Sequence, residues 1–210
     1  DANILTGKAV YTKLLTRPNY EAATRIMREG ERIAKIVRSL MSICSPGDKA
    51  FQKLSIEGCL DAVLTISRSQ LSASGIHLEL SLEKKLPLVF GQYQQVEQLI
   101  LNLLNNSIYA LNDKYPGANP EKRLHVSATA VEKNGKAFVR LELCDHGKGI
   151  SKANVERIFE PFFTTKPAGS GTGLGLGLCY EIVKHHGGEI NVESEEGQFT
   201  RFTVDLPATQ

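Results

Sequence analysis

Gln98-Leu99-Ile100-Leu101-Asn102-Leu103-Leu104-Asn105-Asn106-Ser107-Ile108-Tyr109-Ala110-Leu111 carries two patterns at once. With Val96 in front of it, Leu99, Ile100, Leu103, Leu104, Ile108 and Leu111 recur at i, i+3, i+4 and i+7, which predicts a helix from Gln92 to Leu111 with a broad face that must be buried. Gln98, Asn102, Asn106 and Tyr109 fall four, four and three apart and share a second strip of that helix. Asparagine is a mediocre helix former, and its amide needs a partner wherever it is buried. Two readings stay open from the residues alone. The amides bond neighbouring backbone, or a carboxamide oxygen ligates a hard cation such as Mg²⁺, which keeps several waters and leans on phosphate oxygens for the rest.

Working outward from this helix, the pattern alternates between helix and strand. Phe51 to Ile56 reads as a short strand, Glu57 to Ser72 as an amphipathic helix, and Ile76 to Leu82 and Leu86 to Phe90 as strands. Downstream, Arg123 to Glu132 and Lys136 to Asp145 alternate around Asn134-Gly135, a hairpin turn signal. A helix from Leu174 to His185 and a strand pair, Glu189 to Ser194 and Phe199 to Leu206, complete the chain. Few of these strands are separated by crossover helices, so the pattern predicts an α+β fold with a mixed sheet covered on one face by helices. Residues 2 to 44 read instead as two helices turning at Arg17-Pro18-Asn19, the second with a heptad seam through Ile26, Gly30, Ile33, Val37, Leu40 and Cys44. Such a hairpin has little core of its own, so it either meets a second copy in a four-helix bundle or lies against its own globular domain. Ser45-Pro46-Gly47-Asp48 is a helix stop, which divides the chain into a hairpin over 1–48 and a larger domain over 49–210.

Composition narrows the functional classes. The 210 residues carry 25 Lys+Arg against 23 Asp+Glu, a net charge of +2 that gives no electrostatic argument for a nucleic-acid partner. No run approaches a membrane span, and the start lacks both a signal peptide and an initiator Met, as expected of a piece cut from something longer. Cys44, Cys59, Cys144 and Cys179 are widely spaced without a C-x-x-C pair, which fits reduced thiols packed as small hydrophobes better than a zinc site or disulfide framework. The glycines are more telling, because ten of the 18 fall between Gly147 and Gly197.

Two segments in that region are suited to chemistry. In Asp145-His146-Gly147-Lys148-Gly149-Ile150 an aspartate at a strand's end can accept a hydrogen bond from an exocyclic amine, and the glycines let a ligand approach backbone closely. Ile158-Phe159-Glu160-Pro161-Phe162-Phe163-Thr164-Thr165-Lys166 leads to Gly171-Thr172-Gly173-Leu174-Gly175-Leu176-Gly177, where alternating glycines before a helix expose N–H groups to an anion and Lys166 adds a point charge. The spacing matches neither a P-loop nor a dinucleotide fingerprint.

Taken in order, QLILNLLNNSIYAL, DHGKGI, IFEPFFTTK and GTGLGLGL resemble the asparagine box, first glycine box, phenylalanine box and second glycine box of the sensor histidine kinases and the wider GHKL class of ATP-binding proteins. The resemblance runs from about residue 50 to 207, and the short FEPFFTTK lid is similar to the nitrogen-regulator-like branch. It implies the GHKL ATP-binding fold behind a dimerisation and phosphotransfer hairpin, with ATP and Mg²⁺ as cofactors. By resemblance Asn106, in an Asn-Ser that replaces the family's usual Asn-Ala, ligates Mg²⁺, and Asn102 supports the site or the phosphates. Asp145 meets the adenine amine, and Gly147, Gly149 and Ile150 shape the base pocket. Phe162, Phe163 and Lys166 belong to the lid, while Gly171, Thr172, Gly173, Leu174, Gly175 and Leu176 line the phosphates. Thr200 matches a threonine near adenine, in a Gly197-Gln198-Phe199-Thr200 context that departs from the usual G-x-G-T. Catalytic roles fall by resemblance to Asn102 and Lys166.

Hydrolytic relatives carry a glutamate one turn before the metal-binding asparagine, where it serves as general base for water; Asn102 cannot take that proton, so slow intrinsic hydrolysis is expected. None of the five histidines fits the family's phosphoacceptor box, which the resemblance places just before residue 1. The implied function is the cytoplasmic ATP-binding core of a two-component kinase, a homodimer acting on a histidine and then on a response-regulator receiver domain, without nucleic acid. A membrane anchor elsewhere in the full-length protein is left open. A GHKL serine/threonine kinase and a non-catalytic ATP-responsive interaction module are the alternatives.

Overall fold

The computed structural model describes residues 20–27, 30, 50–167 and 171–209. Of the expected hairpin, residues 20–27 and 30 are helical, and the rest, with the seam from Ile33 onward and the stop at Ser45-Pro46-Gly47-Asp48, lies outside the described residues.

The larger domain runs β1 (Gln52–Leu54), α1 (Ile56–Ala73), β2 (His77–Leu82), β3 (Val89–Gly91), α2 (Tyr93–Lys114), β4 (Arg123–Lys133), β5 (Lys136–Asp145), α3 (Lys152–Val155), α4 (Gly175–His185), β6 (Glu189–Glu195) and β7 (Phe199–Pro207). Five strands form one sheet in the order β2-β4-β5-β7-β6, parallel between β2 and β4 and antiparallel elsewhere. β1 and β3 pair separately. α1, α2 and α4 cover one face of the large sheet, giving the expected mixed α+β architecture.

α2 is the keel of that layer. Its stripe, Val96, Leu99, Ile100, Leu103, Leu104, Ile108 and Leu111, is wholly buried against Leu124, Val126, Leu141, Leu143, Phe202 and Val204 of the sheet and against Cys179, Ile182 and Val183 of α4. Each such side chain contributes roughly 1.5–3 kcal/mol on leaving water. The described thiols Cys59, Cys144 and Cys179 are free and buried.

Several boundaries differ from the sequence pattern, and three of them are instructive. Ile56 opens α1 rather than closing β1, because the Ser55 hydroxyl accepts the Gly58 N–H at 3.3 Å and caps the helix. β3 begins only at Val89, since Lys85 sits at φ 65° and Pro87 offers no N–H for a ladder. α2 continues three residues past Leu111 to Lys114. Asn134 (φ 52°) and Gly135 (φ 73°) form the hairpin turn as expected.

His186 follows α4 directly. As a helix-terminal cation it would suit the α4 dipole, but it is buried and its Nε2 accepts the Gln92 N–H at 3.0 Å while Nδ1–H donates to Ile182 O at 2.7 Å. That pairing fixes a neutral imidazole, and burial holds its pKa below the usual value.

Candidate nucleotide site

α2, the end of β5, the segment after it and the approach to α4 enclose a cavity of about 550 Å³, the size that holds small cofactors. Its two ends have different chemistry.

One end is built around Asp145, the last residue of β5, which is only 2% exposed. Its Oδ1 accepts the Gly147 N–H at 3.0 Å. Burial pushes the carboxyl up to about 7, against the downward pull of that N–H, of the nearby Ser107 hydroxyl and of the Lys114 charge. Strand register sets Thr200 of β7 directly opposite Asp145. Ser194 Oγ–H donates to Phe199 O at 2.7 Å, so the Thr200 hydroxyl, 3.1 Å from Ser194 Oγ, is the donor of that pair and keeps its lone pairs free. Ala110, Ile150, Ile158, Leu176 and Phe202 supply apolar walls. A flat heterocycle bearing an amine fits this end.

The other end is cationic. Lys166 Nζ donates to Asn106 Oδ1 at 2.9 Å and lies 4.3 Å from the centre of the Tyr109 ring. Lys148 Nζ sits 5.3 Å from the same ring and 2.7 Å from Asp113 Oδ2. Burial, and then the charge of Lys148, hold the Lys166 pKa below the usual lysine value. Beside them α4 starts at Gly175 behind Leu174, which makes no side-chain cap, and its first residues, Gly175 and Leu176, line the cavity and bring the helix's positive end to it. Together these groups make a polyanion site.

Backbone fit explains two of the glycines. Gly149 and Gly173 both sit at φ 68°, and a Cβ would collide with the Glu195 backbone in the first case and with the Phe162 backbone in the second.

Twelve of the residues expected from sequence line the cavity: Asn106, Asp145, Gly149, Ile150, Phe163, Lys166, Gly171, Thr172, Gly173, Gly175, Leu176 and Thr200. Four stand off it. Asn102 donates to Gly175 O at 3.3 Å and accepts from Gln98 Nε2 at 2.8 Å, so its amide ties α2 to the start of α4. Gly147 holds Asp145 from behind, Leu174 is buried, and Phe162 is 64% exposed at φ 68°. Sequence reasoning left out Tyr109, Lys148 and Glu196. Tyr109 was legible from its place on the polar strip of α2 and Lys148 from its place between two glycines. Glu196 comes from the β6–β7 turn and carries no local signal.

The model of the family described as histidine kinase-, DNA gyrase B-, and HSP90-like ATPase matches residues 91–210, a span that includes every residue lining the cavity. The chain belongs to this family. Among curated members of the histidine kinase-, DNA gyrase B-, and HSP90-like ATPase family, the sensor histidine kinase ZraS of Escherichia coli O157:H7 is 32% identical over 188 residues, covering 90% of this chain and 38% of that protein. Sporulation kinase E of Bacillus subtilis (strain 168) is 31% identical over 185 residues, covering 88% of this chain and 23% of that one. The chain thus spans well under half the length of these relatives. The catalytic domain of histidine kinase ThkA superposes with a TM-score of 0.62 at 26% identity over 77% of this chain and 97% of that one. Full-length ShkA in complex with AMPPNP shares the fold, with a TM-score of 0.71 at 23% identity over 93% of this chain and 40% of that one.

Proposed function

We propose that this chain is the ATP-binding catalytic core of a two-component sensor histidine kinase. The observation that carries the reading is one cavity with a buried carboxylate at its apolar end and Asn106, two lysines and a helix N-terminus at the other. Asp145 accepts the adenine amine, and Ile150, Phe202 and Leu176 enclose the base. Lys166, Gly171, Thr172 and Gly173 receive the phosphates. Mg²⁺ fits the donor set, because Asn106 Oδ1 is a hard oxygen already turned to a cation, and no cluster of three His, Cys, Asp or Glu competes for a metal among the described residues. When bound, the metal neutralises phosphate charge. Asn102 and Gly175 fix the distance between α2 and α4 on which that end depends.

Positioning and charge neutralisation dominate phosphoryl transfer, so the site's work is to hold the γ-phosphoryl group toward an incoming imidazole nitrogen. In the parent protein that nitrogen belongs to a histidine outside residues 1–210. The phosphoryl group then passes to a receiver-domain aspartate. We assign residues 1–48 to a dimerisation hairpin, residues 49–210 to the catalytic domain, and the whole to the cytoplasm; no helix among the described residues is long and apolar enough to cross a membrane. The relatives named as sensor histidine kinase ZraS support the histidine acceptor over a serine/threonine one.

The test is calorimetric titration of ATP and GTP with and without Mg²⁺, on the wild type and Asn106→Ala. ATP is expected to bind more tightly than GTP, with a Mg²⁺-dependent gain that Asn106→Ala abolishes. Equal affinity for both nucleotides removes the adenine assignment, and an unchanged Mg²⁺ gain removes the metal assignment.

A further inference from the structure

One face of α2 lies along the segment that follows β5. Ala110 O accepts the Lys148 N–H at 3.3 Å, and a Cβ on Gly147 would meet Ala110 Cβ at 2.7 Å, so helix and segment touch there. One turn on, Lys114 Nζ donates to His146 O at 3.0 Å. A Cβ on Gly147 would also lie 2.6 Å from Asp145 Oδ1, so the carboxylate reaches the face of α2 that carries Ala110 and, one turn earlier, Ser107. Ser107 is 1% exposed, and its Oγ has no hydrogen-bond partner of good geometry among the described residues. Its hydroxyl is nonetheless near enough to the Asp145 carboxylate to favour the charged form. A buried hydroxyl left without a partner costs free energy unless something at the site completes it.

The carboxylate has room for it. Oδ1 takes the Gly147 N–H, and a carboxylate offers about four acceptor positions in all. Besides Ser107, the charged and titratable groups around Asp145 are Lys114 on α2, Cys144 and His146 on either side in the chain, and Lys148, Lys166 and Glu196 on the cavity walls. Of these only Lys114 acts directly on Asp145, and it is itself bonded to His146 O. Among the described residues Ser107 is the one side-chain hydroxyl placed to stabilise the charge.

We propose that Ser107 is a positioning residue for base recognition, donating its hydroxyl proton to the Asp145 carboxylate so that the carboxylate stays charged and aimed at the amine of a bound adenine. This rests on the proposed adenine site and adds to it a residue that does not line the cavity. Alanine, the usual residue at this position by the resemblance described above, would lack the donor. In a chain that carries it, Asp145 would be protonated over more of the neutral range and the amine would lose its acceptor.

The experiment is a pH series of ATP dissociation constants from pH 5.5 to 9 on the wild type, Ser107→Ala and Ser107→Thr, with ¹³C-carboxyl NMR of Asp145 in the nucleotide-free proteins. The titration of ATP itself is common to all three and cancels in their ratios. Ser107→Ala is expected to weaken ATP about tenfold near pH 6.5, the loss of one hydrogen bond to a charged group, and by about twofold or less at pH 9. Its Asp145 signal should titrate at higher pH than in the wild type, and Ser107→Thr, which keeps the hydroxyl, should restore both readouts. A pH-independent loss of affinity, or an unmoved carboxyl titration in folded Ser107→Ala, overturns the proposal. Failure of the wild type to bind ATP at any pH overturns the nucleotide site instead, so the two outcomes are distinct.

Discussion

Asp145→Asn should weaken nucleotide binding and stabilise the protein in the same stroke. Burial raises the carboxyl from the ordinary 3.8 to about 7. At 1.36 kcal/mol for each pH unit, the difference makes the charged carboxylate a burden on the folded state on the order of 4 kcal/mol above pH 7. The sign follows from proton uptake. Between about 4 and 7 the folded chain holds a proton that the unfolded chain has released, so this group's contribution is undiminished below 4 and is lost as pH rises through 7. Asparagine carries no charge, and its oxygen can keep the Gly147 N–H. Urea unfolding at pH 8 should therefore show the variant more stable by up to about 4 kcal/mol, with the gain vanishing near pH 4. In the same protein the amide NH₂ would face the adenine amine, and losing a hydrogen bond to a charged group costs about 1.5–3 kcal/mol, roughly ten- to 150-fold in ATP affinity. A variant less stable than wild type at pH 8, or a gain that does not change with pH, refutes this account of the carboxylate.

Three further outcomes follow from other parts of the structure. His186 is held neutral, with its pKa below the usual value chiefly by burial, so its contribution is present above pH 6.5 and is lost as pH falls through the lower folded value; Asp145→Asn, which removes the opposing trend, should expose a stability loss on acidification that His186→Phe lacks. Gly149→Ala forces a side chain into the Glu195 backbone at a positive φ and should cost about 1–3 kcal/mol in thermal or urea unfolding, together with most ATP affinity. Because the Asn102 amide donates a hydrogen bond to Gly175 O and cannot accept a proton from water, steady-state ATP hydrolysis by the wild type should be very slow; rapid turnover in a coupled assay contradicts the role given to that position.

What could be read from the sequence divides along the length of its patterns. α2 and the β4–β5 hairpin were legible because each repeats a period over ten or more residues, and Asn134-Gly135 specifies its turn by conformation alone. β1 and β3, which read from the sequence as longer strands, and α3, which the sequence pattern does not signal, have three or four residues each, too few for a period to set their limits. Their limits depend on local chemistry such as the Ser55 cap. Lys122 could not be anticipated at all. It is 2% exposed, and its ammonium is held by Ser74 O at 2.9 Å and Asn112 Oδ1 at 2.8 Å, partners 48 and 10 residues away. The same limit applied within the site. Asp145 and Asn106 announce themselves by residue type, whereas the bond from Asn102 to a carbonyl 73 residues on depends on how two helices meet.

β5 and β7 are neighbours in the sheet although the segment from residue 146 to 198 separates them in the chain. The floor of the cavity, Asp145 opposite Thr200, is therefore set by strand register, and the connection between the two strands is an excursion between two fixed posts. Loop-closure entropy grows only with the logarithm of length, about 0.6 kcal/mol for each doubling. Residues added or removed between Lys166 and Gly171 would thus leave the floor in place. The register that sets Asp145 against Thr200 is insulated in this way from changes in the length of the connection between the two strands.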